Sequence, residues 1–228
     1  MKLTKEKDEY YLSNLLNAVR KIKSFTKSEL ASVEHLTKFF KTIGPCSGYQ
    51  HSWADLNVIG SGFAQHPQEL AEALVFLSNF EVKTFLEIGS FLGWTTSVIA
   101  AYLSRFNKYL EVTTIDVQNV FKFYQYVKHI LPITYLVPVT SKHLKGKEFD
   151  VCFIDGNHCG DWPKDDYNNI GRFSRICMFH DILHAKDVKS TWKNTKTKNS
   201  KCQIKEFVGH KKSKGIGVLV LNGEGILL

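Results

Sequence analysis

The 228-residue sequence predicts a doubly wound α/β domain built on a mostly parallel sheet. Three observations predict it. From residue 82 onward, short apolar runs alternate with stretches of helical length, the pattern of strands buried on both faces. Several of those runs end in a glycine or an acid, as strands do at the ligand edge of such a sheet. The last two runs are separated only by Gly209–Lys214, which leaves no room for a crossover helix, so the final strand is expected to run antiparallel.

Composition fits a globular protein: 43% of residues are hydrophobic and 23% charged. No stretch reaches the roughly eighteen apolar residues of a membrane span. The opening MKLTKEKDEYY has no apolar run behind its lysines and does not read as a signal peptide. A soluble protein in the cytoplasm is therefore expected, without membrane contact. The five cysteines, Cys46, Cys152, Cys159, Cys177 and Cys202, are scattered and never in a C-x-x-C pair, which argues against a cysteine zinc site. Cys152 and Cys177 lie in apolar runs and read as small core residues.

Residues 1–45 form a helical extension ahead of a domain spanning 46–228. Tyr11, Leu15, Leu16, Val19 and Ile22 recur at helical spacing. Thr26 or Ser28 caps a second segment carrying Leu30, Val33, Leu36, Phe39 and Phe40, which Gly44-Pro45 stops. Two such helices cannot bury themselves alone, so they pack on the domain behind them or on a second copy. Residues 46–68 read as a loop holding Tyr49, His51, Trp53, Gln65 and His66, the last two and Tyr49 being candidate ligand contacts. Pro67–Phe80 is a helix with proline in its first turn. Strands come next at Val82–Ile88, Leu110–Val117, Ile133–Val139, Phe149–Ile154 and Arg175–Phe179. Helices are expected over Trp94–Phe106, Val120–Leu131, after Asp161-Trp162-Pro163, and near Lys186–Lys193. The aspartate of that last tripeptide reads as a cap. Gln203–Val208 and Gly215–Asn222 complete the sheet.

Candidate chemistry gathers at the strand ends. Glu87-Ile-Gly-Ser-Phe-Leu-Gly-Trp-Thr-Thr96 turns out of the first strand: Gly89 permits the sharp turn, and Gly93 is expected to let a ligand approach the backbone. Asp116 closes the second strand at the distance expected of a ribose-binding carboxylate. Asp155 and His180-Asp181 end two later strands. A plain strand–loop–helix turn would also place glycines so, but the acids on neighbouring strands favour a nucleotide. The sequence has neither G-x-x-x-x-G-K-[ST] nor G-x-G-x-x-G, which leaves out a phosphate-cradling loop and disfavours a dinucleotide. A glycine loop without phosphate clamps and with an acid before it suits S-adenosyl-L-methionine.

Val82–Asp116, Phe149–Asp181 and Gly-Ile-Gly-Val-Leu-Val-Leu together resemble the class I S-adenosylmethionine-dependent methyltransferases over residues 65–222. The nearest branch holds catechol-type, small-molecule and sugar O-methyltransferases with cephalosporin-hydroxylase-like proteins. E-I-G-S-x-x-G-x-[ST]-T, F-I-D-G-x-H and a later H-D carry the resemblance jointly. It implies a Rossmann-like seven-stranded sheet with a reversed last strand. It also implies a cofactor pocket of Glu87, Gly89, Ser90, Gly93, Trp94, Thr95, Asp116 and Asp155. Trp94 either walls the cofactor or packs its helix under the sheet. In metal-dependent members a divalent ion such as magnesium lies between strand-end acids, matched here by Asp155, His180 and Asp181. His180 departs from the acid common there, and histidine is a poor magnesium ligand. His158, three residues after Asp155, reads as a general base, a metal ligand or an adenine neighbour, and His184 lies close to Asp181 in sequence.

The implied activity is methyl transfer to a hydroxyl oxygen of a small molecule, sugar or nucleic acid, with Asp155, His158 and His180 as the catalytic candidates. Two other readings stay open. One is a catalytically silent binding module, the other a metal-dependent oxygenase with His158 and His180 on iron. The formal charge of +8, with Lys193, Lys196, Lys198, Lys201, Lys205, Lys211, Lys212 and Lys214 flanking the last strands, offers a face for nucleic acid or another polyanion. The lysine-aspartate-lysine-glutamate tetrad of cap-type ribose methyltransferases is not evident.

Overall fold

The computed structural model describes residues 5–43, 63–209 and 213–221. Three N-terminal helices come first: α1 (Lys5–Ser24), α2 (Lys27–Leu30) and α3 (Val33–Ile43), followed by α4 (Pro67–Leu77). Thr26 does cap, in a reciprocal box with Glu29, but the helix it opens is one turn long. Ser32 then accepts from the His35 N–H and starts α3, so the single second segment expected from the sequence is split in two. The apolar stripe of α1 is used within the chain. Leu15, Val19 and Ile22 are fully buried as α1 packs on α5 (Trp94–Leu103), each contributing about 1.5–3 kcal/mol relative to exposure. Polar ties fix the register: Tyr102 donates to the Leu30 carbonyl and Arg105 to that of Phe25. The extension thus joins the core of the domain behind it.

Seven strands form one sheet: β1 (Thr84–Ile88), β2 (Glu111–Ile115), β3 (Ile133–Leu136), β4 (Val151–Ile154), β5 (Ile176–His180), β6 (Gln203–Phe207) and β7 (Ile216–Val220). Their order is β3-β2-β1-β4-β5-β7-β6, and β7 is antiparallel to both its neighbours, as expected. Side chains alternate between two apolar layers. Phe85 faces the helices α1 to α5, while Leu86 and Ile88 face the side of α7 (Trp162–Asn169) and α8 (Lys186–Lys198). Cys152 and Cys177 are register partners in the second layer, and burial raises both thiols, so they act as core residues. Among the described residues no helix is long and apolar enough to cross a membrane.

Two helix expectations need correction. Val120–Leu131 is not a helix; only α6 (Tyr124–Val127) forms within it. The aromatic rings of Phe121, Tyr124 and Tyr135 pack on one another, and the Tyr135 hydroxyl takes the Val120 N–H and donates to the Gln118 carbonyl. That tertiary cluster outweighs helical periodicity. Asp161 sits at the N-cap of α7, yet its side chain makes no cap bond and pairs instead with Lys164 at 3.2 Å. The loop residues Tyr49, His51 and Trp53, the Gly44-Pro45 stop, and Lys211 and Lys212 lie outside the described residues.

Glu87 shares the Phe85 face, not the cavity face. It is fully buried, and its carboxylate accepts from Thr96 on α5 and from Thr114 on β2, the latter at 3.0 Å. Burial pushes its carboxyl up to about 8, with the nearby Asp155 and Asp116 charges adding to the rise against those hydrogen bonds. The folded protein therefore holds a proton that the unfolded chain gives up above about 4.5, and stability falls as pH rises from about 4.5 to about 8. Glu87→Gln keeps the shape without the ionisation. Thermal melts from pH 5 to pH 9 should show the variant gaining on the wild type as pH rises, and parallel curves would contradict a buried, protonated Glu87. Gly93 has φ +78°, and a Cβ there would fall within the Phe121 ring. Gly93→Ala should cost about 1–3 kcal/mol of unfolding free energy in urea titrations.

Candidate functional site

The carboxyl ends of the parallel strands open into a cavity of about 810 Å³, within the usual range for a small-molecule site. It lies where strand order reverses, between β1 and β4. Gly89, at φ +99°, is required there because any Cβ would collide with the Asp155 carbonyl across the junction. The strand order divides the cavity in two. Loops after β1, β2 and β3 form one half, and loops after β4 and β5 with the β6–β7 hairpin form the other.

The first half is shaped by Gly89, Ser90, Phe91, Thr95, Asp116, Val117 and Ser141. Asp116 is held rigidly: Oδ2 accepts from the Phe91 N–H and Oδ1 from the Gln118 N–H, each at 3.0 Å. Asp116 lines the cavity, and each of its oxygens has further acceptor capacity beyond these bonds, as a pair of vicinal hydroxyls requires. Ser90 is tied to Thr114 at 2.7 Å, which links this loop to the polar layer around Glu87. Trp94 is fully buried and lines the cavity floor, so it both packs and walls, and its Nε1–H has no partner among the described residues. Glu87 and Gly93, expected in the cofactor pocket, do not line the cavity. Glu87 points into the opposite layer, and the group that exploits the missing side chain of Gly93 is Phe121 rather than a ligand.

The second half holds a cluster of two aspartates and two histidines. His180 Nδ1 stands 2.8 Å from Asp155 Oδ1, His158 Nε2 lies 3.4 Å from the same oxygen, and His158 Nδ1 lies 3.2 Å from Asp181 Oδ2. Gln65 donates to Asp155 Oδ2 at 2.7 Å, so one of the loop residues singled out in the sequence does reach the site. Asp155 is engaged entirely on this side. Burial alone would raise its carboxyl, but His180 and His158 hold it well below the usual carboxylate range. For His180 the balance runs the other way: burial lowers the imidazole, and Asp155 and Asp181 more than offset it, so it titrates above its ordinary value. Asp181 carries its carboxylate inward on a left-handed backbone, φ +60°, a conformation retained where surrounding structure over-determines it. The donor set fits a divalent cation: one ligand atom from each of the four residues lies within 4.8 Å of all the others. His66, His184 and Lys214 complete the wall, with Lys214 Nζ 3.7 Å from Asp181 Oδ1.

Some site residues escaped the sequence. Asp166, four residues after Trp162 on α7, is buried in the cavity wall near Ser141, and burial pushes its carboxyl up to about 6. The i, i+4 spacing of Trp162 and Asp166 was a usable signal, since it puts both on one helix face. Phe91 and Trp162 form an exposed apolar rim. Among the described lysines, only Lys214 reaches the cavity wall. Lys193 and Lys198 on α8, Lys201 in the turn after it and Lys205 on β6 are exposed, and Lys196 pairs with Glu206.

No protein-family profile and no curated protein sequence matches this chain. Solved structures do match. The O-methyltransferase TomG of Streptomyces achromogenes, involved in tomaymycin synthesis and solved with S-adenosylmethionine, aligns with a TM-score of 0.54 at 16% identity, over 87% of this chain and 92% of its own. The Podospora anserina methyltransferase PaMTH1, solved with S-adenosylhomocysteine, aligns at 0.53 and 9% identity, over 96% of this chain and 97% of its own. At such identities the likeness speaks for architecture. The chain has the fold of the class I S-adenosylmethionine-dependent methyltransferases.

Proposed function

We propose that the protein is an S-adenosylmethionine-dependent methyltransferase that acts on a hydroxyl oxygen. The observation that carries this reading is Asp116, fixed by two backbone N–H groups at the end of β2 beside the Gly89–Ser90 turn. A carboxylate so held can receive both ribose hydroxyls without reorganising. Among the described residues the half-cavity around it has no lysine or arginine to suit a phosphate, and its composition suits an uncharged nucleoside and its sulfonium side chain. The cluster of Asp155, His158, His180 and Asp181 then faces the acceptor, and His158, one-third exposed, is its most accessible member. In the reaction the acceptor oxygen forms a bond to the methyl carbon, the carbon–sulfur bond breaks with its electron pair going to sulfur, and the hydroxyl proton passes to the His158 imidazole and from there to solvent. The sulfonium is already activated, so alignment supplies most of what is needed.

Proximity of the apolar rim, Phe91 and Trp162, to this polar cluster favours an acceptor that joins a flat or apolar body to an oxygen-rich edge. The exposed lysines of α8 and β6 support a secondary contact with a polyanion, outside the cavity.

Calorimetric titration of the full chain with S-adenosylmethionine and S-adenosylhomocysteine should give low-micromolar binding. Asp116→Ala should weaken it about 100-fold, the effect of losing two hydrogen bonds to a charged acceptor. Absence of binding to either compound would turn the reading toward a silent module that works through its lysine face. Transfer of a labelled methyl group to a panel of catechols, sugars and RNA would then identify the acceptor class.

A further inference from the structure

We propose that the acceptor is single-stranded RNA, with one unpaired nucleotide in the cavity and the adjoining phosphate backbone along α8. That helix carries five lysines and a single acid, Asp187. Val188, Trp192 and Thr195 turn to the core. Lys186, Lys189 and Lys193 stand at i, i+3 and i+7, which sets them on one face, and all three are exposed. Among the described residues only Lys196 of this helix has an acid partner, Glu206. Like charges at such spacing repel and weaken a helix, so the stripe stands uncompensated until an anion lies along it. From Lys186 to Lys193 the helix rises about 10 Å, the axial span of about three stacked nucleotides.

The stripe begins at the mouth of the cavity. His184, two residues before Lys186, lines the cavity wall. The Gly160 N–H donates to Asp187 Oδ2 at 2.7 Å, which ties the first turn of α8 to the loop that carries His158 and leads into Trp162. Trp162 also lines the cavity, yet it is 43% exposed. Phe91, at the rim as well, is 41% exposed on a left-handed backbone, φ +46°. Large rings left in water beside a row of uncompensated lysines match a strand of nucleic acid, whose phosphates meet the cations while an unpaired base stacks on a ring.

Each part of an RNA nucleotide has a counterpart here. The base is the flat body that the rim accepts, the ribose hydroxyl is the oxygen that faces Asp155 and His158, and the phosphates meet α8. A sulfated glycan supplies the charge but no aromatic face for Trp162. DNA supplies charge and base but lacks the 2′-hydroxyl. A duplex keeps its bases in the stack and offers none to the rim. The inference rests on the methyl-transfer reading and names its substrate class.

The full chain, without cofactor, is titrated into a short, unstructured, fluorescein-labelled oligoribonucleotide over a range of salt concentrations, and binding is read by anisotropy. DNA of the same sequence, the RNA paired with its complement, and heparin of matched charge are compared. Single-stranded RNA should bind about tenfold more tightly than the DNA, the effect of a hydrogen bond from the 2′-hydroxyl to a charged acceptor. Combined Lys186→Ala, Lys189→Ala and Lys193→Ala should lower the slope of log affinity against log salt by about 2, since each phosphate contact on a single strand adds about 0.7. Lys83→Ala, Lys108→Ala and Lys147→Ala make the same charge change at exposed positions ahead of β1, β2 and β4, and should leave the slope unchanged. Trp162→Ala should weaken binding about tenfold and Trp162→Phe much less, each variant being checked for fold by circular dichroism. DNA, duplex or heparin bound as tightly as the RNA, an equal loss of slope in the two triple variants, or indifference to Trp162→Ala would each overturn the proposal. No cofactor is present in these titrations, so failure here leaves S-adenosylmethionine binding untouched, and failure of that binding leaves these results standing.

Discussion

The close approach of the carboxyl ends of β1 and β4 governs everything at the functional edge. The Asp155 N–H bonds to the Ile88 carbonyl at 2.9 Å, and the next residue of β1 must then be a glycine, because the Asp155 carbonyl occupies the space of a side chain. At that junction the two chains diverge. One turns through Ser90 and Phe91 toward Asp116, and the other through Gly156 and Asn157 toward His158. A bulkier residue at position 89 would push the strands apart and spoil both halves of the cavity together. This is why a turn that looks like a cofactor device in the sequence is, in the structure, first a packing device.

Four acids near this edge show how strongly environment sets chemistry. Glu87 is buried among hydroxyls with no cation beside it, so its carboxyl rises to about 8. Asp166 is buried beside Ser141 and rises to about 6. Asp155 is no less enclosed, but two histidines reverse the outcome and keep it ionised. Asp116 remains at the cavity wall with both oxygens engaged by backbone N–H groups. Asp155 and Asp181 gather with His158 and His180 on the β4–β5 side, while Asp116 stands at the end of β2 on the other side. The two halves of the cavity thus differ in their ionisable groups as well as in the strands that supply them.

Much of this was legible in the sequence because strands buried on both faces leave continuous apolar runs that mark their own ends. The strand order did the rest: β4 and β5 pair in parallel, Ile154 opposite Phe179, and that pairing brings His158 and His180 together from 22 positions apart. What the sequence misplaced came from facing rather than from position. Glu87 lies at a strand end, but Phe85 and Glu87 share one face while Leu86 and Ile88 share the other, and counting in twos along the strand would have put the acid in the wrong layer for a ligand. The Val120–Leu131 helix failed for a different reason. Its apolar spacing is satisfied by ring packing around Tyr135, a contact no local pattern encodes.

The N-terminal helices bear on the site indirectly. They bury α5, the helix that rises from Gly93 and carries Trp94, Thr95 and Thr96. Through Tyr102 and Arg105 they hold α5 at a fixed height against the sheet, and Thr96 in turn holds Glu87 under β1. The same chain continues through Gln65, whose amide reaches Asp155, and through α4, where buried Glu69 accepts from Ser213 and from the Gly215 N–H at the β6–β7 hairpin. Both flanks of the cavity are thus braced from the N-terminal side of the sheet. The extension reaches the cavity through α5, whose first residues Trp94 and Thr95 line it, whereas Gln65 and Glu69 brace the opposite flank directly.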